Sequence, residues 1–291
     1  MSEGCTHDCS TCSSKCSEKD LRVPCGQFSN VNGAGNMGFA IIKGIFGTAN
    51  ENISLYAFDM DCEKLNNLKQ FSVQPCSSEA DVVKHCKYVV LAVKPQVIDN
   101  VLDNISDAVN SDTVIISIAA GITSDFVQKK TKPDAKVVLV MPNTPLLLGE
   151  GASALSHNEY VNDEEFEFVK GIFTSCGKTA VIPIDKMKEI IAVNGSSPAF
   201  IYLFAKGFVD YAVSVGIDAE AAKELFSQSL IGSAKMITDS GYTIDELIKM
   251  VSSPGGTTLA GLDRLYEGKL IEVVNNACDS CTKRAYELSK N

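Results

Sequence analysis

The sequence predicts an α/β protein, an N-terminal Rossmann-type doubly wound parallel sheet followed by a C-terminal all-helical domain. Three observations predict it. Between Phe28 and Ile182, short apolar runs alternate with amphipathic segments, the pattern of repeated βα units. Beyond Pro183 the strand signals stop and apolar residues recur three and four apart, as in Phe200, Leu203, Phe204, Phe208, Tyr211 and Val215. At 291 residues and 45% hydrophobic content, the chain can bury two cores.

Taken in order, strands are expected at Phe28 to Val31, Ile53 to Phe58, Tyr88 to Val93, Thr113 to Ile118 and Lys136 to Val140. Helices are expected at Met37 to Phe46, Asp61 to Lys69, Ser78 to Cys86, Val97 to Val109 and Ser124 to Lys130. A sixth unit follows: strand Ala152 to Leu155, helix Asp163 to Thr174 and strand Lys178 to Ile182. The helix Pro198 to Val215 is apolar almost all round apart from Lys206 and Asp210, and the short helices expected after it cannot cover it, so a neighbouring subunit is expected to. Gly216, Gly241 and the Ser252 to Gly256 stretch punctuate the remainder. The organisation is a cysteine-rich tail, 1–24, a sheet domain, 25–183, and a helical domain, 184–291.

Charge and composition exclude several classes. The balance is 26 Lys and Arg against 36 Asp and Glu, net −10, which argues against nucleic acid or an anionic membrane as partner. No apolar run reaches the roughly 18 residues that cross a bilayer, and the start of the chain lacks the basic and apolar stretches of a secretory leader. A cytoplasmic protein is expected. Its 11 cysteines then read as thiols or metal ligands. Cys5, Cys9, Cys12 and Cys16 are spaced C-x3-C-x2-C-x3-C around His7, which can close a Zn site or hold an iron–sulfur cluster, against the alternative of a redox-exposed arm. Cys278 and Cys281, one helical turn apart, read as a packed face, and His85 and His157 as structural.

The stretch VNGAGNMGFAIIKG sets Gly33, Gly35 and Gly38 in a G-x-G-x-x-G between an expected strand and helix. Such glycines give the tight turn, the close approach of a pyrophosphate to the backbone and the close packing of helix on strand. The preceding FSNVN is a polar version of a buried first strand. Asp59 closes the second strand, where a carboxylate accepts hydrogen bonds from a ribose 2′-hydroxyl and repels a 2′-phosphate. NADH is therefore favoured over NADPH, unless Asp59 only caps the helix near Asp61. Ala92, Val93, Lys94 and Pro95 end the third strand, at the carboxyl edge where open α/β sheets bind ligands, although Pro95 can simply start a helix. Ser253, Gly255, Gly256, Thr257 and Thr258 form a loop leading into a helix near Thr258, whose first N–H groups can hold a carboxylate without a cationic side chain.

GAGNMG, VVLAVKPQ at Val89 to Gln96, SIAAGIT at Ser117 to Thr123, MPNTP at Met141 to Pro145 and VSSPGGTTLAGLDRLYEG at Val251 to Gly268 resemble, in order and spacing, the pyrroline-5-carboxylate reductase family. The resemblance runs from about Gln27 to the end of the chain. It implies reduction of the C=N of 1-pyrroline-5-carboxylate to L-proline by NADPH or NADH, the last step of proline biosynthesis, in homodimers or larger rings of dimers with interleaved helices. It places Gly33, Gly35, Asn36, Met37, Gly38, Ala119 and Asn143 against the cofactor, and Ser253, Gly255, Gly256 and Thr257 against the substrate. Thr258 becomes the catalytic group that hydrogen-bonds the imine nitrogen. Two positions depart from the family pattern: Ser197 stands where GSGPA has its second Gly, and Lys206 where a Glu is usual. They leave open a reductase of a different small imine or ketone, and the tail leaves open a non-enzymatic nucleotide-binding redox sensor.

Overall fold

The computed structural model describes residues 21–24, 34–47 and 53–289. Their sheet is built from β1 (Leu21–Pro24), β2 (Leu55–Phe58), β3 (Gln74–Pro75), β4 (Tyr88–Leu91), β5 (Val114–Ser117), β6 (Lys136–Met141), β7 (Gly151–His157) and β8 (Gly177–Val181), in the order β3-β2-β1-β4-β5-β6-β7-β8. The first six strands follow the doubly wound dinucleotide-binding order, with its switch point between β1 and β4.

Three differences from the sequence reading stand out. The strand expected at Phe28 to Val31 lies outside the described residues. Among the described residues, the strand between β2 and β4 is Leu21–Pro24, inside the segment expected as tail, with Leu21 opposite both Leu55 and Tyr88. The sheet is also not wholly parallel, since β7 runs antiparallel to β6, with Val138 opposite His157. The link from Pro142 to Glu150 is shorter than the dozen or so residues a parallel crossover takes. Finally, the two-residue edge strand β3 is too short to leave a sequence pattern.

Strand residues alternate between two cores. Tyr88, Val90, Val114, Ile116, Val138 and Val140 face α1 (Ala34–Gly47) and, later in the chain, α6 (Asp163–Thr174). Val89, Leu91, Ile115, Val137 and Leu139 face the helices between, α3 (Glu79–Lys84), α4 (Ile98–Ile105) and α5 (Ser124–Lys130). Short polar caps start these helices: Asp61 for α2 (Cys62–Leu68), Ser78 for α3, Thr123 for α5 and an Asn162–Glu165 capping box for α6. Gly177 has φ +146° and a Cβ there would meet the Gly151 carbonyl oxygen at 2.0 Å, so only glycine lets β7 and β8 start side by side.

The described residues up to Gly195, joined by the end of the chain from Cys281, make one compact unit, and Ser196–Ser280 make the second. The second contains α7 (Ser197–Ser214), α8 (Ala219–Asp239), α9 (Ile244–Met250), α10 (Thr257–Glu267) and most of α11 (Leu270–Leu288). The expectation that only short helices follow α7 fails, because α8 runs for 21 residues and α11 for 19. Among the described residues no helix is long and apolar enough to cross a membrane.

Candidate active site

The carboxyl edge of the sheet collects the expected cofactor residues one strand at a time. Asp59 follows β2, Ala92, Val93, Lys94 and Pro95 follow β4, Ala119 follows β5 and Asn143 follows β6. Gly35, Asn36, Met37 and Gly38 lie in the first turns of α1, and Gly38 is buried; Gly33 lies outside the described residues. Pro95 opens a short 3₁₀ turn, as its alternative reading required, and Lys94 is half-buried at the position before it.

Asp59 is 2% exposed. Its Oδ1 accepts the Asp61 N–H at 2.9 Å, whereas Oδ2 is buried without a hydrogen-bond partner among the described residues. Capping of α2 falls to Asp61, whose side chain accepts the Glu63 N–H at 3.0 Å, so Asp59 is not spent as a cap. Burial pushes the Asp59 carboxyl above its usual range, against the opposing pull of the Asp61 amide. An unsatisfied buried acceptor at the end of the second strand fits the hydroxyls of a ribose, and the other strand ends fit the rest of a dinucleotide.

Asn143 acts first as a staple: its Oδ1 accepts the Ala152 N–H at 2.8 Å, holding the loop after β6 to the start of β7. Behind Ala119, a cavity of about 200 Å³ is lined by Ser117, Gly121, Asp125, Met141, Lys188 and Tyr286. Gly121 has φ +82° and a Cβ there would meet the Ala285 carbonyl oxygen at 3.2 Å, so the end of α11 packs directly on the SIAAGIT loop. Tyr286 donates to Glu189 Oε1 at 2.8 Å. The sequence reading missed Asn194, Gly121 and Tyr286; each acts through contacts remote in sequence, which no local pattern announces.

In the second unit, Ser253, Pro254, Gly255 and Gly256 turn the chain into α10. Gly255 takes φ +71°, and the Gly256 N–H returns to the Ser253 carbonyl at 2.9 Å. α8 and α9 are capped by the side chains of Asp218 and Thr243, but α10 has Gly256 at its N-cap and no side-chain cap. Its first N–H groups, at Thr257 and Thr258, are left without that partner beside two exposed hydroxyls. Lys206 is exposed and pairs with Asp210 one turn on, while Ser197 opens α7 ahead of Pro198.

The metal ligands expected at Cys5, Cys9, Cys12 and Cys16 lie outside the described residues, and among the described residues no group of three or more His, Cys, Asp or Glu is placed to hold a metal. Cys278 and Cys281 are half-buried free thiols. His85 does have an acidic neighbour, with Nδ1 3.3 Å from Asp81 Oδ1 and 2.9 Å from the Asp81 backbone carbonyl oxygen, but it is stacked on Tyr56 and serves the packing of α3.

Comparison with known proteins decides the family. A family model described as pyrroline-5-carboxylate reductase dimerisation matches residues 185–288, and one described as NADP oxidoreductase, coenzyme F420-dependent, matches residues 31–121. The chain is 33% identical over 261 residues to pyrroline-5-carboxylate reductase 3 of Xenopus laevis, covering 89% of this chain and 94% of that protein. The chain belongs to the pyrroline-5-carboxylate reductase family. It is 32% identical to the Escherichia coli pyrroline-5-carboxylate reductase, covering 89% of this chain and 97% of that one. Among solved structures, the Plasmodium falciparum pyrroline carboxylate reductase with NADP bound superposes with a TM-score of 0.81 at 30% identity, covering 95% of this chain and 100% of that one. The pyrroline-5-carboxylate reductase from Coxiella burnetii gives a TM-score of 0.84 at 27% identity, covering 94% and 100%.

Proposed function

We propose that this chain reduces the C=N bond of 1-pyrroline-5-carboxylate to give L-proline, the last step of proline biosynthesis, and that it does so with NADH in preference to NADPH. The observation that carries the substrate assignment is the uncapped start of α10, in an acidic protein whose Val251 to Thr258 loop has no Lys or Arg. N–H groups at a helix start hold a carboxylate through aligned dipoles and need no cation. The Thr258 hydroxyl then stands over the imine nitrogen. A neutral alcohol is a poor acid, so Thr258 orients the nitrogen, and the proton arrives through water or with a substrate that enters as the iminium. Bound NAD(P)H supplies the hydride that goes to the imine carbon.

The cofactor preference rests on Asp59, whose buried second oxygen suits a ribose hydroxyl and opposes a 2′-phosphate. In this the chain is proposed to differ from the Plasmodium falciparum enzyme, whose structure holds NADP. The protein works in the cytoplasm as a homodimer or a ring of dimers joined through the helical unit. Lys206 pairs with Asp210 on an exposed helix face, an arrangement compatible with the same substrate.

The test is loss of NADH absorbance when pyrroline-5-carboxylate is added; a protein that oxidises no NADH with this substrate overturns the reading. The cysteine tail is proposed to hold zinc or an iron–sulfur cluster and to be dispensable for reduction. A chain begun at Leu21, which keeps β1, should lose any bound metal and keep most of its activity. Activity lost on that truncation would make the tail part of the catalytic machinery.

A further inference from the structure

Asn194 closes the helical turn Ile191–Gly195. Its Nδ2 donates to the Met141 carbonyl at 2.6 Å and to the Ala152 carbonyl at 3.1 Å. Two carbonyl acceptors fix which way the amide is turned, because its oxygen has no proton to offer either. Oδ1 is thereby directed away from them, shut off from solvent, and has no hydrogen-bond partner among the described residues. A buried amide oxygen without a donor is costly, and a donor brought by a bound ligand removes that cost.

The surroundings locate that ligand. Ala152 is held from both sides, its N–H by Asn143 and its carbonyl by Asn194. A Cβ on Gly195 would come within 2.5 Å of the Met141 methyl, so this turn is laid closely on the end of β6. If Asp59 at the end of β2 takes the adenosine ribose, the other half of a dinucleotide lies across the ends of β4, β5 and β6. At that end the cofactor has one N–H donor, the primary amide on the nicotinamide ring.

We propose that Asn194 Oδ1 accepts a hydrogen bond from the nicotinamide carboxamide, fixing the rotation of the ring and hence the face it turns to the imine carbon. The assignment rests on the reading that the crevice takes NAD(P)H. Asn194 is then a cofactor-positioning residue, distinct from Asn143, whose side-chain oxygen is already engaged.

The test compares three probes by calorimetric titration: NADH, the reduced 3-acetylpyridine analogue in which a methyl ketone replaces the carboxamide, and ADP-ribose, which lacks the ring. The intact protein should bind the analogue about tenfold more weakly than NADH, the scale of one hydrogen bond to a buried acceptor. In Asn194→Ala the two dinucleotides should bind within about twofold of each other, with ADP-ribose binding unchanged. Equal binding of NADH and the analogue by the intact protein overturns the proposal, and so does a gap that survives in the variant. Should Asn194→Ala fail to bind ADP-ribose, Asn194→Ser takes its place, read the same way. If the intact protein binds none of the three, the cofactor reading itself fails; if it binds NADH without discrimination, only the role of Asn194 does.

Discussion

At the residue scale, Asp59 carries two opposed demands. Its buried carboxyl has a raised pKa, so the folded chain holds its proton more tightly than the unfolded chain does. Stability from this group is greatest below the usual carboxylate range and falls as pH rises through the raised folded value. Asp59→Asn should therefore raise the melting temperature of the cofactor-free protein at neutral pH, checked by calorimetry across a pH series. The same change should narrow the NADH over NADPH preference in kcat/KM by about tenfold, the loss of one charge-assisted hydrogen bond and one repulsion. A wild-type enzyme that already prefers NADPH would show that the carboxylate does not face the ribose. For Thr258, Thr258→Val should lower kcat/KM by roughly ten- to a hundredfold with NADH binding unaltered; unchanged turnover would remove Thr258 from the mechanism. Asp59 is a candidate in the sequence through its offset from the glycine motif, and Thr258 through the resemblance of the SPGGTT stretch to the family. Asn194 is not, since what singles it out is an amide pinned by carbonyls of residues 141 and 152, and such partners meet only after folding.

At the element scale, the amino edge of the sheet is tied by one buried carboxylate. Glu165, 1% exposed, accepts from Lys136 at 2.8 Å and pairs with Lys87 at 3.1 Å, linking α6 to the starts of β6 and β4. Burial alone would raise its pKa, but the two lysines and the Asn162 amide outweigh burial and hold it below the usual value. A lowered pKa means stability present above the unfolded value and lost as pH falls through the folded one. Glu165→Gln should cost about 3 kcal/mol at neutral pH, the scale for breaking a buried pair, and should flatten the acid limb of the stability profile. A variant with the wild-type acid limb would show that the two lysines do not hold this carboxylate. Strands β2 and β4 to β6 are readable because each is a short apolar run buried between two layers of helices, and the helices between them because each is amphipathic. The antiparallel turn of β7 is not readable, because strand direction is set by the length of the preceding link and leaves no mark on the strand itself. Leu21–Pro24 is not anticipated as a strand, because the glycine motif draws the expectation to the residues immediately before it, which lie outside the described residues.

At the scale of the whole molecule, the helical unit leaves an apolar surface that one copy of the chain does not cover. The sequence located α7 to within a residue or two, and its apolar circumference was plain; the length of α8 was not, since its apolar residues are diluted by Glu220, Lys223, Glu224 and Lys235. Even with that long partner packed on it through Phe208 and Phe226, whose rings stack at 4.3 Å, only Pro198 and Ala212 of α7 are buried. Leu203 is 71% exposed and Phe204 42%, and with Tyr211, Leu230, Val273 and Val274 they line an apolar groove of about 750 Å³. Leaving such a surface in water forfeits roughly 25 cal/mol for each Å² that could be covered, and a patch of this kind marks an interaction site. The match of residues 185–288 to a dimerisation model supports a homo-oligomer, and a second copy of the chain is the occupant proposed for this groove. Leu203→Asp is the informative change. Because Leu203 is already exposed within one chain, the substitution should leave the helical content and the fold of the single chain intact, whereas an unpaired carboxylate inside an apolar interface costs several kcal/mol. Sedimentation should then report a monomer, NADH titration should show the crevice of the first unit still binding, and reduction of pyrroline-5-carboxylate should fall by at least about a hundredfold. A monomer that turns substrate over at the wild-type rate would show that one chain holds a complete active site, and would leave the groove with no role in catalysis.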